Sequence, residues 1–183
     1  RKHVFVLNDL SDMDRILEAA KAAKKTTIVG AGFIGLEMAE NFRERGLEVA
    51  LVELGDQVLS VMDREMTQPL LQELKLHGVD VHLTDTVTAI EAGRVVLKSG
   101  KTLESDLVCL SIGVRPTSKL AGDAGVELGP RGHIHVDAHM RTSDPHIYAV
   151  GDAVEVKEWV TGETTAIALA GPALNIVLAV ILL

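Results

Sequence analysis

Short apolar runs alternate with helical periodicity in the first third of the chain. Residues 26–29 form a run of strand length, and Ile34, Met38 and Phe42 then recur at every fourth position, as on one face of a helix. Residues 48–52 supply a second run of strand length. The order strand, helix, strand predicts a β-α-β unit, and the crossover helix predicts that its two strands pair in parallel.

The residues before this unit predict one strand and one helix. Residues 4–7 are apolar at strand length. A helical pattern follows, and Ser11 or Asp12 is placed to cap its first turn. We expect residues 1–25 to form a lead-in segment that crosses between domains.

A further helix is predicted after the unit, ahead of a third strand at residues 79–83. Its pattern could begin at Asp63, but Pro69 falls inside it, and a proline in a helix interior lacks the N–H donor and crowds the preceding turn. We therefore expect this helix to start near Thr67 or to kink.

The apolar period changes from four to two after the third strand, which predicts an antiparallel β-meander. Three short runs have this period and are separated by glycine-containing turns: 87–90, 94–97 and 102–103. Residues 106–112 are almost continuously apolar, as expected for a strand that is buried on both faces of a parallel sheet. Two short strands are predicted later, at residues 134–137 and 147–150.

A glycine motif directly follows the first strand of the β-α-β unit. It reads Gly30-Ala31-Gly32-Phe33-Ile34-Gly35, with the glycine spacing of a dinucleotide-binding fingerprint. Gly30 permits the tight turn, Gly32 lets the backbone approach a pyrophosphate, and Gly35 lets helix and strand pack closely. The amino terminus of the helix presents free N–H groups and partial positive charge to the phosphates. We predict that these six residues bind NAD.

Glu53 ends the second strand of the unit, 18 residues after Gly35. A carboxylate at this place can accept both hydrogen bonds of the adenosine ribose and repels a 2′-phosphate. The first arginine after it is Arg64, which is too far along the chain to offset that repulsion. The pattern predicts that NADH is preferred over NADPH. The alternative is a purely structural glycine turn beside a solvated glutamate.

Four segments resemble, in order, the NADH domain of the pyridine nucleotide-disulfide oxidoreductases: residues 26–55, 111–116, 142–153 and 166–173. The resemblance is to the branch that contains coenzyme A-disulfide reductase, NADH oxidase and NADH peroxidase. It implies an α/β fold, namely a three-layer Rossmann-type NAD(P)-binding domain with a parallel sheet and a β-meander, plus a partial segment of the FAD-binding domain. The expected division is a lead-in, an NAD-binding domain and a flavin-domain segment: 1–25, 26–150 and 151–183.

Two side chains of the first Rossmann helix take family roles by this resemblance. Phe33 matches an aromatic position that lies over the flavin and moves aside for the nicotinamide. Glu37 matches a glutamate near the nicotinamide end. The alternatives are a core aromatic at a helix start for Phe33, and for Glu37 an exposed first-turn acid that favours the helix dipole.

Later positions match loops that lie around the cofactors. Gly113 matches a loop that contacts the bound dinucleotide. Gly151 and Asp152 match the motif whose aspartate hydrogen-bonds the ribityl or phosphate region of the flavin, and Ala168 lies in the last matching segment. We expect these four residues to contact NAD or FAD. A bare Gly-Asp turn is the alternative for the second of these motifs.

For the whole protein, the resemblance implies hydride transfer from NADH to FAD and then electron transfer to a disulfide, persulfide, peroxide or oxygen. The family's redox cysteine, first FAD fingerprint and dimer domain have no match in these 183 residues. We therefore expect no catalytic residue in this chain, and the resemblance implies a homodimer for the whole protein. Cys109, in the apolar run, is expected to be a buried hydrophobe.

Two other functional hypotheses stay open. One is a stand-alone NAD-binding module, against which the Gly151-Asp152 motif and residues 166–173 count. The other is a ferredoxin-reductase-like flavoenzyme that has no redox cysteine and passes electrons directly to a protein partner. A cysteine beside the flavin would distinguish the disulfide-reductase branch from this last hypothesis.

Charge and composition restrict the partners. A formal net charge of −8 argues against nucleic acid and anionic membranes, since both require a basic surface. A single cysteine without a secretion signal favours the cytoplasm. Residues 164–183 carry no charge, but Gly171-Pro172 interrupts them, so a buried helix, or a chain end whose normal covering is missing, is favoured over a membrane anchor.

Four histidines fall within 14 residues: His133, His135, His139 and His146. A metal site would need a recognisable set of ligands, and no cysteine or acidic pattern of that kind accompanies them. We expect solvated loop and strand positions and no metal site.

Overall fold

The computed structural model describes residues 3–113, 116–157 and 164–166 of the chain. The chain divides into two units, a first unit of Arg1–Gly113 and a second unit of Val114–Leu183. The glycine motif belongs to the first unit.

The described part of the first unit contains three helices and eight strands. In chain order they are β1 (Val4–Val6), α1 (Leu10–Ala20), β2 (Lys25–Val29), α2 (Phe33–Glu44), β3 (Glu48–Val52), α3 (Arg64–Leu76), β4 (Val79–His82), β5 (Val87–Glu91), β6 (Arg94–Leu97), β7 (Thr102–Glu104) and β8 (Leu107–Leu110). Helices and strands alternate up to β4, and strands follow one another after it.

Five of these strands form a parallel sheet in the order β1-β8-β2-β3-β4. Strand β2 lies at its centre, where Ile28 pairs with Leu51 on one side and with Cys109 on the other. All three side chains are buried, as expected where both faces of a sheet are covered. The predicted parallel pairing is confirmed.

The three helices pack on one face of this sheet. Ile16 of α1, Met38 and Phe42 of α2, and Leu74 of α3 lie in a single buried cluster with the sheet residues. Burial of a side chain of this size stabilises a fold by about 1.5–3 kcal/mol. The fourfold recurrence in the sequence marks the buried stripe of α2, except at Ile34, which is 39% exposed in the first turn.

The meander forms the layer on the other face. Strands β5, β6 and β7 pair antiparallel in that order. Val95 and Leu97 of β6 pack with Val29, Val52 and Val108 of the parallel sheet in a second buried cluster. The first unit is therefore the predicted three-layer α/β fold with a parallel sheet and a β-meander.

Helix α1 starts earlier than predicted. Its cap is Asp9, whose carboxylate accepts the Asp12 N–H at 2.8 Å, so the expected caps Ser11 and Asp12 lie inside the helix. Asp12 accepts the Asn8 N–H at 3.0 Å and pairs with Arg15. The prediction was wrong because the carboxylate of Asp9, three residues before Asp12, caps the helix, while the carboxylate of Asp12 is engaged by Asn8 and Arg15.

Helix α3 begins at Arg64, so the predicted start near Thr67 is also wrong. Asp63 is its N-cap residue, and its carbonyl oxygen accepts the Thr67 N–H at 3.3 Å. Pro69 lies inside the helix, where it removes one backbone hydrogen bond. Thr67, in the turn before the proline, is only 1% exposed. Packing of this turn therefore offsets the local cost of the proline.

The described part of the second unit holds a short helix, α4 (Lys119–Asp123), and a small sheet. The strands are β9 (Ile134–His135), β10 (Val154–Lys157) and β11 (Thr164–Ala166), in the order β11-β10-β9. Strand β9 pairs in parallel with β10, whereas β11 is antiparallel to it. The strand expected at 134–137 is thus present but shorter.

Residues 147–150 do not form the predicted strand. Tyr148 makes one isolated bridge with Arg141. The Ile147 N–H donates to the Asp144 carbonyl oxygen at 3.1 Å, which closes a turn immediately before the bridge. The apolar run was misread as a strand because the turn engages its first N–H group.

The expectation of solvated histidines is wrong for His133. Its side chain is buried, because it directly precedes β9, which pairs with the core strand β10. His135 is more exposed and lies with Nδ1 3.6 Å from Oε1 of Glu155. Among the described residues, no group of three or more His, Cys, Asp or Glu side chains is arranged to hold a metal ion.

The two units do not coincide with the expected division at residues 25 and 150. Strand β1 pairs with β8 inside the parallel sheet, so residues 4–6 are part of the sheet. The division between units follows Gly113. Ala168 and the apolar residues 174–183 lie outside the described residues, and no helix within the described ranges is long and apolar enough to cross a membrane.

Asp106 provides a test of how the parallel sheet is tied together. Its Oδ2 accepts the Lys24 and Lys25 N–H groups at 2.9 and 3.0 Å, and these hydrogen bonds hold its pKa below the ordinary value of 3.8. We predict that Asp106→Asn lowers the free energy of unfolding by about 1 kcal/mol at pH 7, measured by urea denaturation. Asp14→Asn, on the exposed face of α1, should change it little.

The pH dependence follows from the direction of this shift. A carboxyl with a lowered pKa in the folded state adds stability above its unfolded pKa and loses it as the pH falls through the folded pKa. The difference between wild type and Asp106→Asn should therefore be present at pH 7 and shrink below about pH 4. A difference that grows on acidification would contradict this account.

Candidate dinucleotide-binding site

The glycine turn, residues 30–35, lies at the carboxyl edge of the parallel sheet. The Gly30 N–H donates to the Val52 carbonyl oxygen at 2.8 Å, and the Ser111 N–H donates to the Val29 carbonyl oxygen at 2.7 Å. The ends of β2, β3 and β8 therefore meet at this turn. In an open parallel α/β sheet, ligands bind at this edge.

The three glycines of the turn are needed for different reasons. Gly30 has φ +102°, and a Cβ there would overlap the Ser111 carbonyl oxygen. A Cβ at Gly35 would overlap the Gly30 carbonyl oxygen, so this position is closed by packing. A Cβ at Gly32 would meet nothing within 4 Å. Of these three glycines, only Gly32 therefore borders open space in which a ligand could bind.

The amino terminus of α2 is free to accept an anion. Gly32 is its N-cap residue and supplies no side-chain hydrogen bond. The first backbone bond of the helix runs from the Leu36 N–H to the Gly32 carbonyl oxygen at 3.0 Å, so the preceding N–H groups have no acceptor within the helix. No acidic side chain lies in the first turn. The helix dipole there is left uncompensated and favours negative charge.

Glu53 joins the end of β3 to the glycine turn. Its Oε2 accepts the Ala31 N–H and its Oε1 accepts the Gly55 N–H, both at 2.7 Å. The side chain is half-buried, so the alternative of a solvated glutamate does not describe it. Each carboxylate oxygen has a second lone pair, and Glu53 can therefore still accept hydroxyl groups of a ribose.

Phe33 and Glu37 lie on the outer side of α2. Phe33 is the first residue of the helix and is 36% exposed, which differs from the core aromatic of the alternative interpretation. Glu37 is exposed and lies one turn further on, so it is not the first-turn acid considered as its alternative. Both residues line one end of a cavity of about 610 Å³ between α2 and α3.

The remaining predicted contacts lie in separate places. Gly113, with φ +97°, is exposed at the end of the first unit, after β8. Gly151, with φ +85°, and Asp152 precede β10 in the second unit, and Asp152 is exposed. Ala168 is not among the described residues. The first unit thus brings together the glycine turn and Glu53, with Gly113 beyond the end of β8.

Cys109 has no access to a substrate. It lies in the middle of β8 with 1% of its surface exposed, and burial raises the pKa of its thiol to about 12. Only the thiolate is a redox nucleophile, so Cys109 serves as a small core residue, as the sequence predicted.

One contact to the glycine turn was missed by the sequence reasoning. The Leu59 N–H donates to the Ala31 carbonyl oxygen at 2.9 Å, and Leu59 has a left-handed backbone with φ +46°. A leucine gives no sequence signal for such a conformation, which is usually marked by glycine or asparagine.

Comparison with known proteins places this site in a family. A family model described as pyridine nucleotide-disulphide oxidoreductase matches residues 1–171. A coenzyme A disulfide reductase of Staphylococcus aureus (strain JH9) is 36% identical over 150 residues, which cover 81% of this chain and 34% of the relative. The chain therefore spans about a third of the length of the curated relatives it matches.

Two solved structures are similar in both fold and sequence. The structure of reduced Bacillus anthracis CoADR-RHD has a TM-score of 0.86 and 46% identity, and the match covers 90% of this chain and 30% of that one. The structure of an NAD-dependent persulfide reductase from A. fulgidus has a TM-score of 0.86 and 36% identity, over 92% of this chain and 33% of that one. The chain belongs to the pyridine nucleotide-disulfide oxidoreductases, a family of enzymes.

Proposed function

We propose that this chain contributes the NADH-binding domain to an FAD-dependent oxidoreductase that passes hydride from NADH to FAD and electrons onward to a disulfide, persulfide, peroxide or oxygen. The observation that carries the proposal is the juxtaposition of two features at one sheet edge: an open Gly32 before free helix N–H groups, and the Glu53 carboxylate. The first fits a pyrophosphate and the second fits a ribose diol.

Different residues of the chain would bind different parts of the cofactors. The N–H groups of Phe33, Ile34 and Gly35, at the amino terminus of α2, would hold the phosphates, and Glu53 would orient the adenosine ribose. The nicotinamide end would lie toward Phe33 and Gly113, by resemblance to the family. We propose that Gly151, Asp152 and Ala168 contact the flavin, on the same resemblance.

NADH is preferred over NADPH in this proposal because of the charge near Glu53. A 2′-phosphate would place negative charge beside a carboxylate, which costs more as water is excluded. Arg64 is not freely available to neutralise a 2′-phosphate, since its Nη1 already pairs with Oδ2 of Asp56 at 2.7 Å. The preference should therefore depend on Glu53 itself.

The names of the relatives bear on the electron acceptor. The relatives' names include a coenzyme A disulfide reductase and a persulfide reductase, which both reduce sulfur bonds, and this favours a disulfide or persulfide here. Cys109 is unsuited to the step, because its thiol is buried and its pKa is raised.

We further propose a homodimeric whole protein in the cytoplasm, on the resemblance and on the chain's acidic, single-cysteine composition.

The experiment that tests the proposal is calorimetric titration of the 183-residue chain with NADH and, separately, with NADPH. We expect NADH to bind more tightly. Glu53→Ala should weaken NADH binding by at least about tenfold, because a charge-assisted hydrogen bond is worth about 1.5–3 kcal/mol, and should remove the preference. Glu48→Ala, at the opposite end of the same strand, is the matched control and should bind as wild type. Tighter NADPH binding, or none of either, would refute the proposal.

A second prediction separates the glycine that a ligand needs from the glycine that the fold needs. Gly32→Ala adds a methyl group to open space, so the chain should fold normally while NADH affinity falls about tenfold through displaced phosphate contacts. Gly35→Ala should lower the melting temperature sharply, because its Cβ would overlap the Gly30 carbonyl oxygen. The measurements are thermal unfolding and NADH titration. Unchanged NADH binding by Gly32→Ala would contradict the assignment.

A further inference from the structure

Leu59 has a backbone conformation that leucine rarely adopts. Its φ is +46°, in the left-handed region, and only 8% of its surface is exposed. A bulky L-residue remains there only where its surroundings fix it, and such positions cluster at functional sites. The conformation of Leu59 therefore calls for a physical cause.

The cause lies in the contact that its N–H makes. This group donates to the Ala31 carbonyl oxygen at 2.9 Å, while the Ala31 N–H donates to Oε2 of Glu53 at 2.7 Å. Ala31 itself is 1% exposed. Both polar backbone groups of the residue between Gly30 and Gly32 are thus held from outside the glycine turn.

This arrangement lies directly before the start of helix α2. The Ala31 carbonyl oxygen is the acceptor that the Gly35 N–H would use if the helix started one residue earlier. The hydrogen bond from the Leu59 N–H fixes the direction of that carbonyl group, and the first helical bond runs instead from the Leu36 N–H to the Gly32 carbonyl oxygen. The N–H of Gly35 is consequently left for a ligand, together with those of Phe33 and Ile34.

The loop that carries Leu59, residues 55–62, is anchored at its start and in its middle. Val58 is 1% exposed within the helix-side core cluster. At the start of the loop, the Gly55 N–H donates to Oε1 of Glu53 at 2.7 Å, and the Gly55 carbonyl oxygen accepts the Thr84 N–H at 2.8 Å. The loop is therefore placed by the core and by Thr84, which follows β4, and can hold the glycine turn in one position.

We infer that Leu59 is a positioning residue for phosphate binding: its left-handed backbone aims its N–H at Ala31 and so keeps the first-turn donors of α2 available to the pyrophosphate. The inference rests on the proposed function and deepens it. It assigns this role to the backbone of Leu59, whereas the buried side chain anchors the loop.

Two substitutions separate these roles. Leu59→Ile keeps the size and apolar character of the side chain, but a β-branched residue disfavours a left-handed backbone. Leu59→Gly removes the side chain but adopts that backbone readily. Each variant of the 183-residue chain is titrated with ADP-ribose, which contains the pyrophosphate, and with adenosine, which does not. Thermal unfolding is measured alongside.

We expect Leu59→Ile to bind ADP-ribose about tenfold more weakly and adenosine as wild type does. Leu59→Gly should unfold at a lower temperature yet bind ADP-ribose within about twofold of wild type. A merely structural role would instead make the loss follow stability and affect both ligands. Wild-type ADP-ribose affinity in Leu59→Ile, or an equal loss in both variants, overturns the inference.

Amide hydrogen exchange on the unmodified chain provides a second test that needs no variant. The Leu59 amide should be protected in the free chain, should stay unchanged with adenosine, and should exchange more slowly with ADP-ribose. Exchange at the unprotected rate in the free chain overturns the inference while leaving the proposed function intact. If the unmodified chain binds neither NADH nor ADP-ribose, the proposed function fails first and this inference fails with it.

Discussion

The hydrogen bond from the Ala31 N–H to the Glu53 carboxylate is the contact on which the candidate site depends. It joins the first βα turn to the end of the neighbouring strand, so that the position of one fixes the other. The second oxygen of Glu53 holds Gly55 in the same way. A single side chain therefore organises the glycine turn and the loop after β3, and it still has lone pairs for a ribose.

This double use explains why a carboxylate is required at residue 53. A glutamine there could accept hydrogen bonds through only one atom, and its NH₂ group would face a backbone N–H. A neutral side chain would also lower the electrostatic barrier to a 2′-phosphate. Under the proposed function, one carboxylate would both stabilise the turn and select the dinucleotide, so a substitution that changes the selection would also disturb the turn.

The sequence predicted most of the first unit because its local signals agree with one another. Apolar runs of strand length, the stripe of α2 and the change of period after β4 each indicate one layer, and the three layers are as expected. The glycine turn and Glu53 could be placed at one sheet edge because β2 and β3 are parallel neighbours. Where two local signals conflicted, the predicted helix starts were wrong. Asp9 and Asp12 are both suitable cap residues for α1, and packing around Thr67 outweighed the helix-breaking tendency of Pro69 in α3.

The sequence could not predict the positions of residues whose type gives no signal for their conformation or burial. Leu59 is such a case, since its hydrogen bond to Ala31 depends on where the core and the segment after β4 place residues 55–62. His133 is another, because its burial follows from the pairing of β9 with β10 rather than from its neighbours in sequence. Spacing rules describe what lies along one element, whereas these positions are set by a second element.

The distribution of reactive groups in the first unit fits a domain that binds and orients. Its cysteine is enclosed in the central sheet with a raised thiol pKa, and the groups that converge on the glycine turn are backbone N–H donors and one carboxylate. Such groups hold charge and hydroxyls in place but supply neither a nucleophile nor an electron carrier. Under the proposed function, the chemistry would come from the cofactors, and this unit would contribute to the rate through the accuracy with which Glu53 and Leu59 fix the dinucleotide.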